Sequence, residues 1–425
     1  MVRGEEWLVH GLGQCHHGCV TIAAAKSPAS FASNPLILGV LTAMGPLAID
    51  LYLPAFPALT LGLHASEGEI QASLVAFFAT LALGQLVYGP ISDAVGRRPP
   101  LIVGLILFLI ASLGCALAPN IESLIVLRAV QGLGACACST LPRAIVRDQK
   151  SGPDAARLLS TVFLVFGVSP LFAPTLGGVL LNFGGWRTIF YSLAALVVAC
   201  LMTTLWLLPE THPKGRRTAL AFTEVLSSYA TLLGDKRFVF LTLASASWSG
   251  ATFTYLTTSS FVYMQHFGFS AFGYGVTFGV CASGMIAASQ FNAYLMRKLG
   301  ARKQLAWVTL TAMAISTLLF TATALGQMNA PVLMVGVFLL FSCQGMAIAP
   351  ASVTALDRHG DRAGAAAALM GALQMAIGSV VSGLVSALFA PSLATLVVTQ
   401  LVCVTAAAIA SRLAFRGAGR SELRA

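Results

Sequence analysis

From residue 35 to residue 414 the chain alternates long apolar runs with short polar breaks, and the breaks hold nearly all of its arginine and lysine. Each run is close to the ~20 residues that an α-helix needs to cross the hydrocarbon core. The runs lie at 35–58, 70–91, 100–118, 122–142, 158–182, 188–208, 238–262, 273–296, 305–325, 331–353, 364–388 and 391–414, and predict twelve spanning helices. A β-barrel would read as short alternating segments. Helices are the other structure that satisfies its own backbone inside lipid. The expected fold class is therefore an all-α polytopic membrane protein. The longest polar break, 209–237, divides the spans six and six. It contains Pro213-Lys214-Gly215, then a mildly amphipathic piece from Thr218 to Leu233 that predicts a helix lying on the membrane surface. The expected organisation is a tail (1–34), a six-helix bundle (35–208), a linker (209–237), a second six-helix bundle (238–414) and a tail (415–425).

Composition agrees with this pattern. Of 425 residues, 57% are hydrophobic and only 9% charged, against about 25% charged in soluble domains. The net charge of +10 is explained by its distribution. With the N-terminus in the cytosol, Arg97, Arg98, Arg143, Arg147, Lys150, Lys214, Lys236, Arg297, Lys298, Arg302, Lys303, Arg358 and Arg362 all fall on the inner side. The outer loops hold only Arg187, at a helix edge. This asymmetry is the positive-inside rule, and it places both termini in the cytosol of a bacterial-type inner membrane. It leaves no basic footprint calling for nucleic acid. Nine cysteines are present, seven of them (Cys115, Cys136, Cys138, Cys200, Cys281, Cys343, Cys403) in or near spans, where a thiol acts as a small apolar packing group. Residues 1–34 lack the apolar core of a signal peptide. Their Cys15, His16, His17 and Cys19 have the chemistry of a soft-metal site, with a plain tail as the alternative. No metal is called for.

Two charges change the picture. Asp50 is the only acidic residue deep in an apolar run, and Arg128 the only basic one. Ionisable groups inside a membrane are costly and mark function by default. Asp50 lies about 22 Å beyond the start of its run, and Arg128, entering from the other side, about 10 Å deep. In a core of about 30 Å the two share a depth in the outer half, which permits an ion pair or a shared water-filled cavity. Burial favours a protonated carboxyl and a nearby guanidinium an ionised one. A group held between them can load a proton at one face and release it at the other; the alternative is a static structural pair. Tyr52 adds a hydroxyl beside Asp50. Pro54 and Pro57 interrupt the helix beyond it, although Pro57 also fits simple termination.

Three further stretches stand out. The fourth span carries Arg128, Gln131 and Gly132 on one helical face, with Gly134 beyond. The fifth carries Gly167, Pro170, Pro174, Gly177 and Gly178, a density that favours close packing and bending. The loop after the second span, Gly89-Pro-Ile-Ser-Asp93-Ala-Val-Gly96-Arg97-Arg98, has a faint copy after the eighth, Met296-Arg297-Lys298-Leu299-Gly300-Ala301-Arg302-Lys303. Parallel halves around a central site are a known transporter plan. The copy has Arg297 where the first loop has Asp93.

These stretches resemble the major facilitator superfamily, and within it the twelve-helix drug/proton antiporters. Gly89 to Arg98 is similar to the superfamily's signature loop, Leu127 to Gly132 to the fourth-helix motif associated with proton transfer, and Ala173 to Gly178 to the fifth-helix antiporter motif. Gly45 to Pro57 resembles the first helix of the bicyclomycin/chloramphenicol-resistance (Bcr/CflA) branch. Gly184 to Arg187 and Leu208 to Thr211 match that branch in style. The resemblance covers residues 36–415. It implies the major facilitator fold, two six-helix bundles around a central cavity. It also implies proton coupling at Asp50 and Arg128, and a cytosolic latch between the halves made by Gly89, Asp93, Gly96, Arg97 and Arg98. A cavity between the halves near the midplane draws its candidate lining from Tyr52, Phe77, Phe78, Gln131, Trp248, Phe253, Tyr255, Gln344, Met346, Gln374 and Met375, a set that suits varied apolar ligands. The expected activity is proton-driven efflux of small amphipathic compounds such as antibiotics by alternating access, without cofactor and by a monomer. Proton-coupled export of a metabolite such as a nucleoside or amino acid is the alternative. One acid and one arginine are poor material for a channel lining. No enzyme constellation is present, and the glycine-rich pieces match no phosphate-binding loop.

Overall fold

The computed structural model describes residues 34–217 and 222–416, and among them every regular element is helical. Twelve helices have spanning length: α1 Pro35–Gly62, α2 Glu67–Val95, α3 Arg98–Leu117, α4 Ile121–Gln149, α5 Gly152–Gly184, α6 Trp186–Leu207, α7 Lys236–Phe261, α8 Ala271–Gln290, α9 Ala301–Ala324, α10 Ala330–Leu356, α11 Ala363–Leu388 and α12 Leu393–Ala414. Eleven of them are also apolar enough to cross a membrane by composition. The exception is α7, in which serine and threonine recur and every residue from Phe253 to Phe261 is buried. A helix enclosed by protein needs no lipid-facing apolar surface. Its hydroxyls bond back one turn, as Ser247 Oγ does to the Leu243 carbonyl (2.8 Å).

Several helices outrun the expected spans. α4 continues to Gln149 and α5 begins at Gly152. Apolarity marks only the part of a helix inside hydrocarbon, whereas Arg143 and Arg147 are good helix formers that carry α4 into water. Sequence-local caps set the starts. Ser66 and Glu69 form a reciprocal capping box on α2, and the Asn120 side chain accepts from Ser123 N at 3.0 Å on α4.

Spans in alternating directions put the connections 2–3, 4–5, 6–7, 8–9 and 10–11 at one end, with Arg97, Lys150, Lys236, Arg302 and Arg362. This is the basic end. Within the first six helices α4 packs on α2 and α3, α3 on α6, and α1 on α5. Within the last six, α7 packs on α10, α11 and α12, and α9 on α10 and α12. The two groups meet along α5 with α8 and α2 with α11. The linker holds a helix, Phe222–Gly234, which rests on α7 and α11, burying Leu232 and leaving Leu226 and Leu233 exposed. The seven described cysteines are free and buried. The Cys15, His16, His17 and Cys19 cluster and the stretch 218–221 lie outside the described residues.

Candidate functional site

The first span breaks at its acidic residue. The α-helix that starts at Pro35 ends at Asp50, a 3-10 turn covers Leu53–Ala55, and helix resumes at Phe56. Pro54 and Pro57 start the two pieces beyond the break, where a missing N–H costs nothing. Pro57 therefore continues the span and does not end it. Asp50 is 4% exposed, and among the described residues it has neither hydrogen bond nor ion pair. The turn just after it packs against α7 and α8 of the other six-helix group.

Arg128 is completely buried and lies beside Ala48 in α1, but it does not pair with Asp50. Its guanidinium lies between two aromatic faces, 4.5 Å from the ring centroid of Tyr52 and 4.5 Å from that of Phe77. Nη1 donates to the Ala48 carbonyl (3.2 Å) and to Gln131 Oε1 (2.5 Å). Gln131 Nε2 donates on to Ser112 Oγ (2.8 Å), and the Tyr52 hydroxyl is hydrogen-bonded to Ser73 Oγ (2.8 Å). Arg128 Nε and Nη2 have no partner. Desolvated cation–π contacts contribute about 2 kcal/mol each. The arginine is thus held by ring faces and carbonyl-type oxygens, with the carboxylate two residues past its Ala48 acceptor left free.

The signature loop is a closed ion cluster. Arg97, 5% exposed, reaches Asp93 (2.5 Å), Asp148 (2.7 Å) and Ser92 Oγ (2.7 Å). Burial works against its charge, but the bonds to Asp148 and Asp93 outweigh that and lift the guanidinium above its usual range. Glu210 accepts from the backbone N–H of Arg97 (2.9 Å) and of Arg98 (3.2 Å), placing a carboxylate on the N-terminus of α3. Gly96, at φ +101°, leaves room for it; a β carbon there would lie 2.5 Å from Glu210 Oε2. The expected latch between halves is not what the structure shows. Every partner belongs to the first six helices or to the segment after α6, because Asp148 and Glu210 of the same group supply nearer acids. Sequence reasoning missed Asp148 and Glu210 as partners; acids beside Arg147 and after Leu208-Pro209 were the available signal.

The fifth-helix motif does pack closely. A β carbon at Gly177 would strike the main chain of Leu51 in α1, and one at Gly178 would lie 2.7 Å from the main chain of Ala271 in α8. α8 answers with Gly275, where a β carbon would lie 2.5 Å from the main chain of Thr175, and Gly279, where one would lie 2.5 Å from the Leu171 carbonyl. Pro170 and Pro174 sit inside the same stretch, and Gly167 faces only the tip of Ile286 at 4.0 Å. The four-residue spacing of Gly275 and Gly279 was readable but unread. Phe56 with Phe261 (centroids 5.7 Å) and Gln71 Nε2 with the Thr257 carbonyl (2.9 Å) complete a closure between the groups at the end away from the basic loops.

The cavity candidates separate. Phe78 and Phe253 stack across the two groups, centroids 3.9 Å apart and planes at 18°. Gln344 Oε1 accepts from Thr252 Oγ1 (2.8 Å) beside the buried Trp248, and Gln374 and Met375 are half-buried on α11. Tyr52, Gln131 and Tyr255 are wholly buried and line no open space in this conformation; Tyr255 packs on Phe341 and Phe278. Phe77 lies under Arg128. Met346 lines a peripheral cleft beside α9.

The Major Facilitator Superfamily family model matches residues 38–383. An uncharacterized MFS-type transporter, YdgK of Bacillus subtilis, is 34% identical over 328 residues, 77% of this chain and 81% of that protein. A bicyclomycin resistance protein homolog of Haemophilus influenzae is 30% identical over 325 residues, covering 76% and 81%. Among solved structures, a D-xylose–proton symporter superposes with a TM-score of 0.71 at 17% identity, covering 90% of this chain and 97% of that one. The nucleoside transporter NupG gives 0.70 at 12%, covering 91% and 98%; both likenesses concern the fold. The chain belongs to the major facilitator superfamily, in the neighbourhood of its bicyclomycin/chloramphenicol-resistance branch, and is a membrane transporter of small molecules.

Proposed function

We propose that the protein exports small amphipathic compounds in exchange for protons, with the basic end in the cytosol of a bacterial inner membrane. One observation carries this reading: Asp50 is a buried carboxyl without a counter-charge, at the break in α1 where the two six-helix groups close on each other. An ionised carboxylate enclosed there without a partner is costly, so the packing accepts the neutral form. Rocking the groups apart at that end would bring water to Asp50 and let the proton leave, while access for cargo passes to the other side. Arg128, fixed two residues from Asp50 by the Ala48 carbonyl, sets the field in which that exchange occurs. The relatives named for bicyclomycin, chloramphenicol and multidrug resistance support an antibiotic-like cargo. The reading needs no cofactor, because the proton gradient drives the cycle, and it needs only a monomer.

The test is proton release from proteoliposomes, scanned against antibiotics, dyes and nucleosides, with Asp50→Asn alongside. A drug-dependent proton signal absent from the variant is expected. A signal with nucleosides or amino acids alone would move the cargo to metabolites. Uphill export that survives in Asp50→Asn would end the assignment of Asp50 as carrier.

A further inference from the structure

The second copy of the signature loop has no use in the transport reading. Arg297 and Lys298 end the short helix Asn292–Leu299, and Arg302 and Lys303 start α9. Among the described residues none of the four pairs with a carboxylate; Lys298 lies over the Tyr294 ring (5.8 Å) and Arg302 over that of Phe415 (5.8 Å). All four are exposed. The positive-inside rule explains which side they occupy, but not why no acid was kept beside them.

Immediately deeper, between the short helix, α9 and α10, is a cleft of about 190 Å³ lined by Leu295, Leu299, Trp307, Val308, Cys343 and Met346, with Gln304 and Thr311 as its polar members. Trp307 is 65% exposed on α9, a helix whose own contacts leave one flank open toward lipid. Gln304 is 1% exposed. Its Nε2 donates to Asn292 Oδ1 (2.7 Å) and to the Met346 carbonyl (3.0 Å), while its Oε1 has no partner. The site thus joins an apolar slot at acyl depth, a tryptophan, an orphaned acceptor and four unpaired cations at headgroup level. Basic pockets beside membrane helices recognise anionic heads in this way.

We propose that the cleft binds an anionic glycerophospholipid. One acyl chain lies along Leu295, Trp307 and Met346, the phosphate faces Arg297, Lys298, Arg302 and Lys303, and a headgroup hydroxyl serves as donor toward Gln304. The assignment does not depend on the cargo or on the direction of transport.

Trp307 reports occupancy directly. Purified protein in mixed micelles is titrated with phosphatidylglycerol dibrominated part-way along one acyl chain, and separately with phosphatidylcholine brominated alike. Trp307→Phe isolates the quenching due to Trp307. The expected result is saturation at a several-fold lower mole fraction of the anionic lipid, with the preference shrinking toward parity as cations are removed. Arg302→Gln/Lys303→Gln should erase most of it. Thr311→Phe, which fills the cleft from the exposed face, should remove Trp307 quenching by the anionic lipid with all four cations present. Equal curves for the two lipids in the unaltered protein, or a preference unchanged in both variants, would overturn the proposal.

Discussion

The loops after α2 and after α8 occupy corresponding places in the two halves and have opposite electrostatic economies. In the first, Arg97 is buried, and Asp93, Asp148 and Glu210 neutralise the loop from within. In the second, four cations stand exposed with no acid paired to them among the described residues, and the interior beside them holds the neutral Gln304–Asn292 pair. A loop closed on itself stabilises its own bundle. A loop left open recruits its counter-charge from the surroundings. The same division runs through the spans: the first half buries a carboxyl and a guanidinium, the second buries hydroxyls and carboxamides.

Substitutions at both loops and in the spans test that contrast. The largest effect is expected from Asp50→Asn, which should reduce proton-coupled accumulation in vesicles to background while the protein stays inserted; a similar loss from Tyr274→Phe in α8, whose buried hydroxyl is hydrogen-bonded to Ser259 Oγ (2.9 Å), would show that coupling is not confined to the first half. Next is Gly275→Val. Overpacking against Thr175 costs about 1–3 kcal/mol and should bias the transporter away from the closed arrangement. A spin-label distance between Leu61→Cys and Gln265→Cys should lengthen, and transport should slow. Arg97→Ala strands two acids, Asp93 and Asp148, and should destabilise the protein by about 3 kcal/mol, whereas Arg302→Ala should change stability by less than about 0.5 kcal/mol. Thermal unfolding in detergent compares the two, and equal losses would dissolve the distinction between the loops. The smallest effect belongs to Phe253→Leu, which removes a ring pair worth about 1 kcal/mol and should speed opening between the groups, read as faster exchange of a spin label near Phe78.

Much of the fold was legible because hydrocarbon imposes a length and a polarity on each crossing. Asp50 and Arg128 were found by depth alone. Their relation was not, because depth fixes position along a helix and leaves its rotation free: Arg128 turns toward Tyr52, Phe77 and the Ala48 carbonyl. The reach of Asp148 and Glu210 to Arg97 was hidden for a related reason. Residues 51 and 113 positions apart are brought together only once α4 and α6 have packed. The glycines of α5 could be read as packing positions, but their opposite numbers Gly275 and Gly279 need the α5–α8 crossing to be recognised.

The polarity of α7 has a consequence for how the protein is made. Among the described residues Lys236–Phe261 is the spanning-length helix that falls short of the apolarity of the other eleven, and its partners α10, α11 and α12 all emerge from the ribosome after it. The expectation is that during synthesis this segment stays at the interface or in the insertion machinery until later helices arrive to enclose it. Chains truncated just after Phe261 should leave it accessible to water-soluble thiol reagents through a cysteine at Ser247, and chains extended through α12 should protect it. On that expectation, the hydroxyls of α7, packed among α10, α11 and α12, tie completion of the second half to the arrival of the last span.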